Sequence, residues 1–177
     1  MPARTLMAYA TRNGSTQEVA AWIAGVMREA GVTVELMRMK EATEFGGYST
    51  AILGAPLYLG RMLKEFHEFV ELHREPLSRM KVWCFVLGPV ENKPEQFAEA
   101  ERQAREQLAH HEWLVPEDVR IFGGLWDVKR MEFPFKLMRW LPASKVPAMD
   151  ARDWEAIGQW AEEIAVQIVA QNQHVVT

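Results

Sequence analysis

The succession of an apolar run, a polar loop and an amphipathic segment at the start of the chain constrains the fold most strongly. Residues 4–10 are mostly apolar, as expected for a central parallel strand. The segment 15–30 predicts a helix with one buried stripe, because apolar residues recur at spacings of three and four: Val19, Ile23, Val26, Met27 and Ala30. Strand, tight loop and helix form the unit from which parallel α/β sheets are built.

The same alternation continues to the carboxyl-terminal end of the chain. We predict further strands at residues 32–39, 50–55, 81–87 and 119–125, helices at 62–75 and 94–110, and a last helix from an Asp150 cap to about Asn172. This order predicts an α/β three-layer sandwich around a parallel sheet. Since we find no linker or repeat, we expect residues 1–177 to form a single domain, with an insert at 126–149 after the fifth strand.

Composition excludes several classes of function. A length of 177 residues suits one domain with a full core. The net charge of −4 gives no electrostatic basis for nucleic-acid binding, and the single cysteine, Cys84, allows neither an internal disulfide nor a cysteine-based metal site. Because we find no signal pattern and no apolar run long enough to span a bilayer, we expect a cytoplasmic protein.

The loop between the first strand and the first helix, here called the phosphate loop, is rich in hydroxyl and amide groups. Free backbone N–H groups and the positive end of a helix dipole favour an anion at such a position, and a glycine lets the backbone approach it closely. The alternative is a simple helix cap. The predicted phosphate-binding residues are Thr11, Arg12, Asn13, Gly14, Ser15 and Thr16.

The loop sequence narrows the class of phosphate ligand. Walker A needs a glycine-rich run that ends in Gly-Lys-Ser/Thr, and the dinucleotide fingerprint needs three spaced glycines, whereas residues 9–16 hold one glycine and no lysine. A terminal phosphate monoester, such as that of flavin mononucleotide (FMN), fits a loop of hydroxyl and N–H donors. Thr11-Arg12-Asn13-Gly14-Ser15-Thr16 resembles the flavodoxin phosphate loop, Thr/Ser-x-Thr/Asn-Gly-x-Thr. That resemblance implies a five-stranded parallel sheet of order 2-1-3-4-5, with FMN at the switch point between strands one and three.

The flavodoxin resemblance also implies that two later loops flank the flavin ring. Tyr58 is the candidate for stacking on the ring, and Gly60 is a candidate for a peptide that rotates when the flavin is reduced. Flavodoxin carriers are usually strongly acidic and often place two aromatics beside the ring, but this chain is mildly acidic and its 88–92 loop has none. The predicted ring-binding residues are Pro56, Leu57, Tyr58, Leu59, Gly60, Gly88, Pro89, Val90, Glu91 and Asn92.

The chain also resembles the flavodoxin-like, quinone-dependent protoporphyrinogen dehydrogenases. The matching pieces are the phosphate loop, the Gly-Ala-x-x-x-Leu-Gly stretch at 54–60, Phe-His-Glu-Phe-Val at 66–70, Gly-Gly-Leu at 123–125 and Asp-Trp-Glu at 153–155. This resemblance implies an FMN enzyme that oxidises protoporphyrinogen, with a quinone as acceptor. An electron carrier without its own substrate, and an interaction module that has lost FMN, are the alternatives.

A basic and aromatic insert at 126–149 matches a feature of that dehydrogenase family. Its cations suit the propionates of a porphyrinogen, and its apolar residues suit the inner face of a membrane, where quinone is found. The alternative is an insert that covers a sheet edge or forms an oligomer contact. The residues predicted to touch substrate or membrane are Lys129, Arg130, Phe133, Phe135, Arg139 and Trp140.

The remaining reactive side chains receive structural interpretations. Cys84 lies within a predicted strand, which favours a buried and inert thiol. The pair His110-His111 shows no ligand spacing with carboxylates, and His67 and His73 face or flank a helix, so we predict structural roles and no metal site. No catalytic acid or base is assigned, because the cofactor itself carries the predicted redox chemistry.

Overall fold

Strands and helices alternate through the chain, with short strand pairs added at two loops. The computed structural model describes residues 4–127 and 148–174. The strands are β1 Arg4–Tyr9, β2 Val34–Arg38, β3 Tyr48–Tyr58, β4 Arg61–Met62, β5 Lys81–Leu87, β6 Asp118–Phe122, β7 Leu125–Trp126 and β8 Met149–Asp150. The helices are α1 Ser15–Glu29, α2 Lys64–Leu72, α3 Arg74–Leu77, α4 Pro94–Leu108 and α5 Trp154–His174, and a 3-10 turn spans Met39–Glu41.

The five long strands form one parallel sheet in the order β2-β1-β3-β5-β6. The two-residue β4 pairs antiparallel with the end of β3, and it lies off this path. When the long strands alone are counted, their order is the predicted 2-1-3-4-5, so the predicted fold is confirmed. The switch point falls between β1 and β3, where a crevice opens at the carboxyl ends of the strands.

Each face of the sheet carries its own apolar core, which makes the fold a three-layer sandwich. One core packs α1 and α5 against the sheet, and the other packs α2 and α4 against the opposite face. Because side chains alternate along a strand, β5 supplies Trp83 and Phe85 to the first core and Val82 and Cys84 to the second. Both faces are therefore buried, which explains the continuous apolar run at 81–87.

Two of the predicted helices differ from those in the structure. The helix predicted at 62–75 begins at Lys64 and ends at Leu72. The helix does not continue beyond Leu72 because Pro76 has no N–H group to donate to the carbonyl group of Leu72. The predicted Asp150 cap is wrong. The N–H group of Ala156 instead donates to Asp153 Oδ1 at 3.0 Å, and α5 begins four residues later than Asp150.

The predicted fifth strand, 119–125, ends at Phe122 in the structure. A Cβ atom at Gly123 would lie 1.8 Å from the carbonyl oxygen of Ala151, so the chain here is pressed against the segment that precedes α5. Beyond this contact β7 and β8 form a short antiparallel pair in which Trp126 lies opposite Met149. The two ends of the predicted insert are therefore adjacent.

The predicted contacts of the insert with substrate or membrane fall at residues 129–140, outside the described residues. Among the residues that the structure describes, no helix is both long enough and apolar enough to cross a bilayer.

Candidate functional site

The phosphate loop turns sharply from β1 into α1. The Gly14 backbone has a φ of 87°, a left-handed conformation that strains residues with a side chain. A Cβ atom there would meet no atom of the described residues within 4 Å, so within this part of the protein the left-handed backbone is the reason for a glycine. The N–H group of Gly14 donates to Thr11 Oγ1 at 3.0 Å, which closes the loop and leaves the Thr11 hydroxyl hydrogen able to donate elsewhere.

Two buried polar atoms in this loop fit a bound ligand. Thr16 is fully buried, and its Oγ1 has no hydrogen-bond partner among the described residues. The amide oxygen of Asn13 is likewise buried without a partner in the described part of the chain. By helix geometry, the first N–H groups of α1 have no carbonyl one turn earlier to accept them. The N–H and hydroxyl donors fit a phosphate, and the amide oxygen fits a hydroxyl or N–H group of the same ligand.

Two arginines that the sequence interpretation did not select support the phosphate loop from outside. Arg38, at the end of β2, donates from Nη2 to the carbonyl oxygen of Thr11 at 3.0 Å and pairs with Glu65 at 2.9 Å. The hydrogen bond to Glu65 raises the pKa of Arg38, so this cation is fixed in its charged form. Arg152 pairs at 2.6 Å with Glu18 in the first turn of α1, which offsets the charge of a carboxylate next to the predicted phosphate site.

A cavity of about 240 Å³ opens beside the phosphate loop, at the carboxyl ends of β1, β3 and β5. It brings together some residues from each of the three predicted loop segments. Its walls are mostly apolar, and among the described lining residues only Arg12 and Tyr58 are titratable. The lining residues are Arg12, Asn13, Ser15, Pro56, Leu57, Tyr58, Leu59, Leu87, Gly88, Val90, Gly124, Leu125 and Trp126.

Tyr58 connects the cavity wall to the phosphate loop. Asn13 Nδ2 donates to the Tyr58 hydroxyl oxygen at 2.9 Å, and the Arg12 guanidinium lies 5.9 Å from the centre of the ring. Burial raises the pKa of Tyr58, an effect that Arg12 and the hydrogen bond from Asn13 partly oppose. Tyr58 is therefore a neutral phenol near pH 7, with an aromatic surface available to a flat ligand.

Leu59 and Gly60 form the two-residue turn that joins β3 to β4. Both have positive φ angles, 50° and 76°. Positive φ at both central residues is the conformation of the tight hairpin turns that match strand twist. Leu59 is fully exposed at the tip of this turn, and its left-handed backbone is strained for a leucine. Gly60 lies outside the cavity lining, and its role in a peptide rotation stays a prediction.

The 88–92 loop contributes only part of its length to the cavity. Gly88 and Val90 line it, whereas Glu91 pairs with Lys93 at 2.7 Å and Asn92 is exposed. The remaining wall comes from Gly124, Leu125 and Trp126, which the predicted site did not include. The glycine pair after the last sheet strand was the sequence signal for this wall, because paired glycines indicate a close approach of two backbones.

The histidines and the cysteine lie away from the cavity. Ring nitrogens of His67 and His111 lie 2.8 Å apart, and the Glu71 carboxylate accepts from His111 Nδ1. Burial lowers the pKa of His67. Cys84 is fully buried, and burial raises the pKa of its thiol to about 12, so it is an inert core residue, as predicted. Among the described residues no group of side chains is arranged to hold a metal ion.

Comparison with known proteins agrees with this geometry. A family model described as a flavodoxin domain matches residues 6–146. Protoporphyrinogen IX dehydrogenase [quinone] of Escherichia coli K12 is 26% identical over 172 residues, which cover 92% of this chain and 94% of that protein.

Solved flavodoxins have the same fold. Flavodoxin 2 of Bacillus cereus is 29% identical with a TM-score of 0.50, over 67% of this chain and 84% of that one. Flavodoxin 1 of the same organism is 21% identical with a TM-score of 0.56, over 93% of this chain and 98% of that one. The chain therefore belongs to the flavodoxin domain family, whose cofactor FMN has the phosphate and the flat ring that the loop and the cavity fit.

Proposed function

We propose that this protein is an FMN-dependent oxidoreductase that takes reducing equivalents from a porphyrinogen and passes them to a quinone. The observation that carries this proposal is the sequence match to the Escherichia coli dehydrogenase, 26% identical over 92% of this chain. A flavodoxin covers as much of the chain at 21% identity, so coverage alone does not separate an enzyme from an electron carrier. The alternative of a dedicated carrier is the next hypothesis to test.

The described residues support binding and orientation of the cofactor. Bound FMN supplies the redox chemistry, and the protein supplies its position and surroundings. The phosphate loop holds one end of the molecule through N–H and hydroxyl donors. The apolar walls formed by Leu57, Leu87, Val90 and Leu125 keep water from the ring. The described cavity residues offer no carboxylate, imidazole or amine, and we assign no acid or base among them.

We propose that the segment 126–149 selects the substrate. Its cationic residues Lys129, Arg130 and Arg139 suit carboxylates, and Phe133, Phe135 and Trp140 suit a macrocycle or the surface of a bilayer. The support for this placement is the β7–β8 pair, whose first strand contributes Leu125 and Trp126 to the cavity. The two ends of the segment, Trp126 and Met149, are therefore paired, and Trp126 lies in the cavity wall. A cytoplasmic protein that touches the inner face of the membrane is part of the same proposal.

The experiment is an anaerobic turnover assay with FMN-loaded protein, protoporphyrinogen IX and a water-soluble quinone, followed by porphyrin fluorescence. We expect porphyrin to form only when both flavin and quinone are present. The double variant Lys129→Gln/Arg130→Gln should raise KM more than it lowers kcat. Arg102→Gln/Arg105→Gln, on the solvent-exposed face of α4, also removes two cations and should leave both unchanged.

Three other results would contradict the proposal in different ways. Flavin that is not reduced by the porphyrinogen, but that exchanges electrons with a reductase, would indicate a carrier. Porphyrin formation independent of the quinone would remove the proposed acceptor. A protein without affinity for added FMN would be an interaction module.

A further inference from the structure

Trp126 is the second large aromatic side chain in the wall of the FMN cavity, and it comes from a different part of the fold than Tyr58. Tyr58 ends β3, whereas Trp126 follows β6. In the sheet, β5 lies between these two strands. With about 4.8 Å between neighbouring strands, β3 and β6 are roughly 10 Å apart at this edge. Two aromatic side chains that line one cavity from these positions leave room for a flat ring.

The backbone around Trp126 is fixed to the 88–92 loop. The N–H group of Gly124 donates to the carbonyl oxygen of Pro89 at 2.6 Å, and the N–H group of Gly88 donates to Phe122 at 3.0 Å. On the other side, the N–H group of Ala151 donates to Gly124 at 3.0 Å. These contacts place β7 directly against the loop that lacks an aromatic residue of its own.

Steric contacts confine the same segment. A Cβ atom at Gly123 would lie 1.8 Å from the carbonyl oxygen of Ala151, and one at Gly124 would lie 2.9 Å from that of Gly88. The backbone at 123–126 is therefore packed between the 88–92 loop and the start of α5. Because this backbone is held in place, the Cα atom of Trp126 has a fixed position, as in a preorganised binding site.

The indole of Trp126 belongs to neither of the two apolar cores. It is partly exposed, and it makes no ring contact or hydrogen bond with any described residue. By contrast, Trp22 and Trp154 contact each other at 5.7 Å, and Trp160 packs on Phe122 at 5.6 Å. A large aromatic surface that points into a cavity and has no partner ring there fits a ligand ring.

We infer that Trp126 contacts the isoalloxazine ring of FMN and supplies the aromatic surface that the 88–92 loop lacks. Tyr58 and Trp126 then hold the ring between residues of β3 and β7. Trp126 is also the first residue of the segment 126–149, which we propose selects the substrate. The contact itself rests on the FMN site, and it does not depend on the porphyrinogen reaction.

The test compares the binding of FMN with that of riboflavin, which has the ring but lacks the phosphate. Trp126→Leu should weaken the binding of both ligands by the same factor, about ten- to a hundredfold, because stacking on the ring is lost. Trp126→Phe should retain most of the affinity. Thr16→Val should weaken FMN binding and leave riboflavin binding unchanged. Trp22→Leu removes an indole from outside the cavity and should change neither.

The fluorescence of the bound flavin gives a second readout. An indole in van der Waals contact quenches flavin emission, so bound flavin should be brighter in Trp126→Leu than in the wild type or in Trp22→Leu. Near-ultraviolet circular dichroism checks that each variant is folded. If the leucine variant is unstable, Trp126→Phe keeps the test valid, because a phenyl ring retains the stacking surface but lacks the quenching indole, so bound flavin should be brighter in it as well.

Two outcomes would overturn the inference. One is unchanged riboflavin affinity and flavin emission in both Trp126 variants. The other is a loss of FMN affinity without a loss of riboflavin affinity, which would show that Trp126 acts through the phosphate loop. Failure of the porphyrinogen assay would leave these readouts unaffected, so the two proposals can fail separately.

Discussion

Thr16→Val is expected to change stability and ligand binding in opposite directions. The Thr16 side chain is fully buried, and its hydroxyl has no partner among the residues described. A buried donor left unsatisfied costs about 1–3 kcal/mol, and valine keeps the shape of threonine without the polar atom. The FMN-free variant should therefore be more stable by about 1 kcal/mol. For a domain of this size, that difference raises Tm by roughly 2–4 °C.

Binding of FMN should become weaker in the same variant. We expect the Thr16 hydroxyl to donate to the phosphate, and a hydrogen bond to a charged group contributes about 1.5–3 kcal/mol. Its loss corresponds to a roughly 10- to 150-fold increase in Kd. Urea unfolding of the FMN-free protein measures the first effect, and titration of flavin fluorescence measures the second.

Thr5→Val is the matched control. Thr5 is also fully buried, and its Oγ1 also lacks a partner in the described chain, but it lies in β1 outside the cavity lining. We expect the same gain in stability with an unchanged Kd. If Thr16→Val left the Kd for FMN at the wild-type value, the phosphate would not bind at the start of α1. If it destabilised the FMN-free protein, the hydroxyl would have a partner, and the reasoning would be wrong.

Three further changes test other parts of the fold. Gly123→Ala should destabilise the protein by about 1–3 kcal/mol or more in urea unfolding, because its Cβ would overlap a backbone carbonyl. Gly25→Ala, in an open helical position, should instead stabilise it by about 0.5–1 kcal/mol. Equal effects of the two substitutions would contradict the close approach at Gly123. Arg38→Met should weaken FMN binding more than riboflavin binding in parallel titrations, since the guanidinium supports the phosphate loop; an equal loss for both ligands would refute this role. Burial lowers the pKa of His67 below its ordinary 6.5, so this group contributes stability that is present above pH 6.5 and is lost as the pH falls through the lowered pKa. The free energy of unfolding should therefore differ less between pH 7.5 and pH 5.5 in His67→Gln than in the wild type or in the exposed His110→Gln. If this difference were the same in all three proteins, groups other than His67 would cause the loss of stability in acid.

Local patterns in the sequence were sufficient to predict most of the fold. The apolar spacing of 15–30 and the continuous apolar run of 81–87 each depend on a buried face, so their types and approximate bounds followed from periodicity. The predicted cap of the last helix was wrong because two aspartates precede this helix. Asp150 and Asp153 are both acceptable helix caps, and Asp153 is the one whose carboxylate accepts from Ala156. Asp150 instead accepts from the backbone and guanidinium of Arg152, a contact that no pattern of spacing indicates.

The candidate site was likewise predicted from the sequence only in part. The sequence by itself determined the strand, turn and helix that form the predicted phosphate loop, because these parts are consecutive in the chain. Only the tertiary structure decided what surrounds that loop. Arg38 and Trp126 reach the site from the ends of β2 and β7, at distances along the chain that leave no periodic signal. The physical reason is that a parallel sheet brings the carboxyl ends of separate strands to one edge, so neighbours in space are set by strand order and not by position in the sequence.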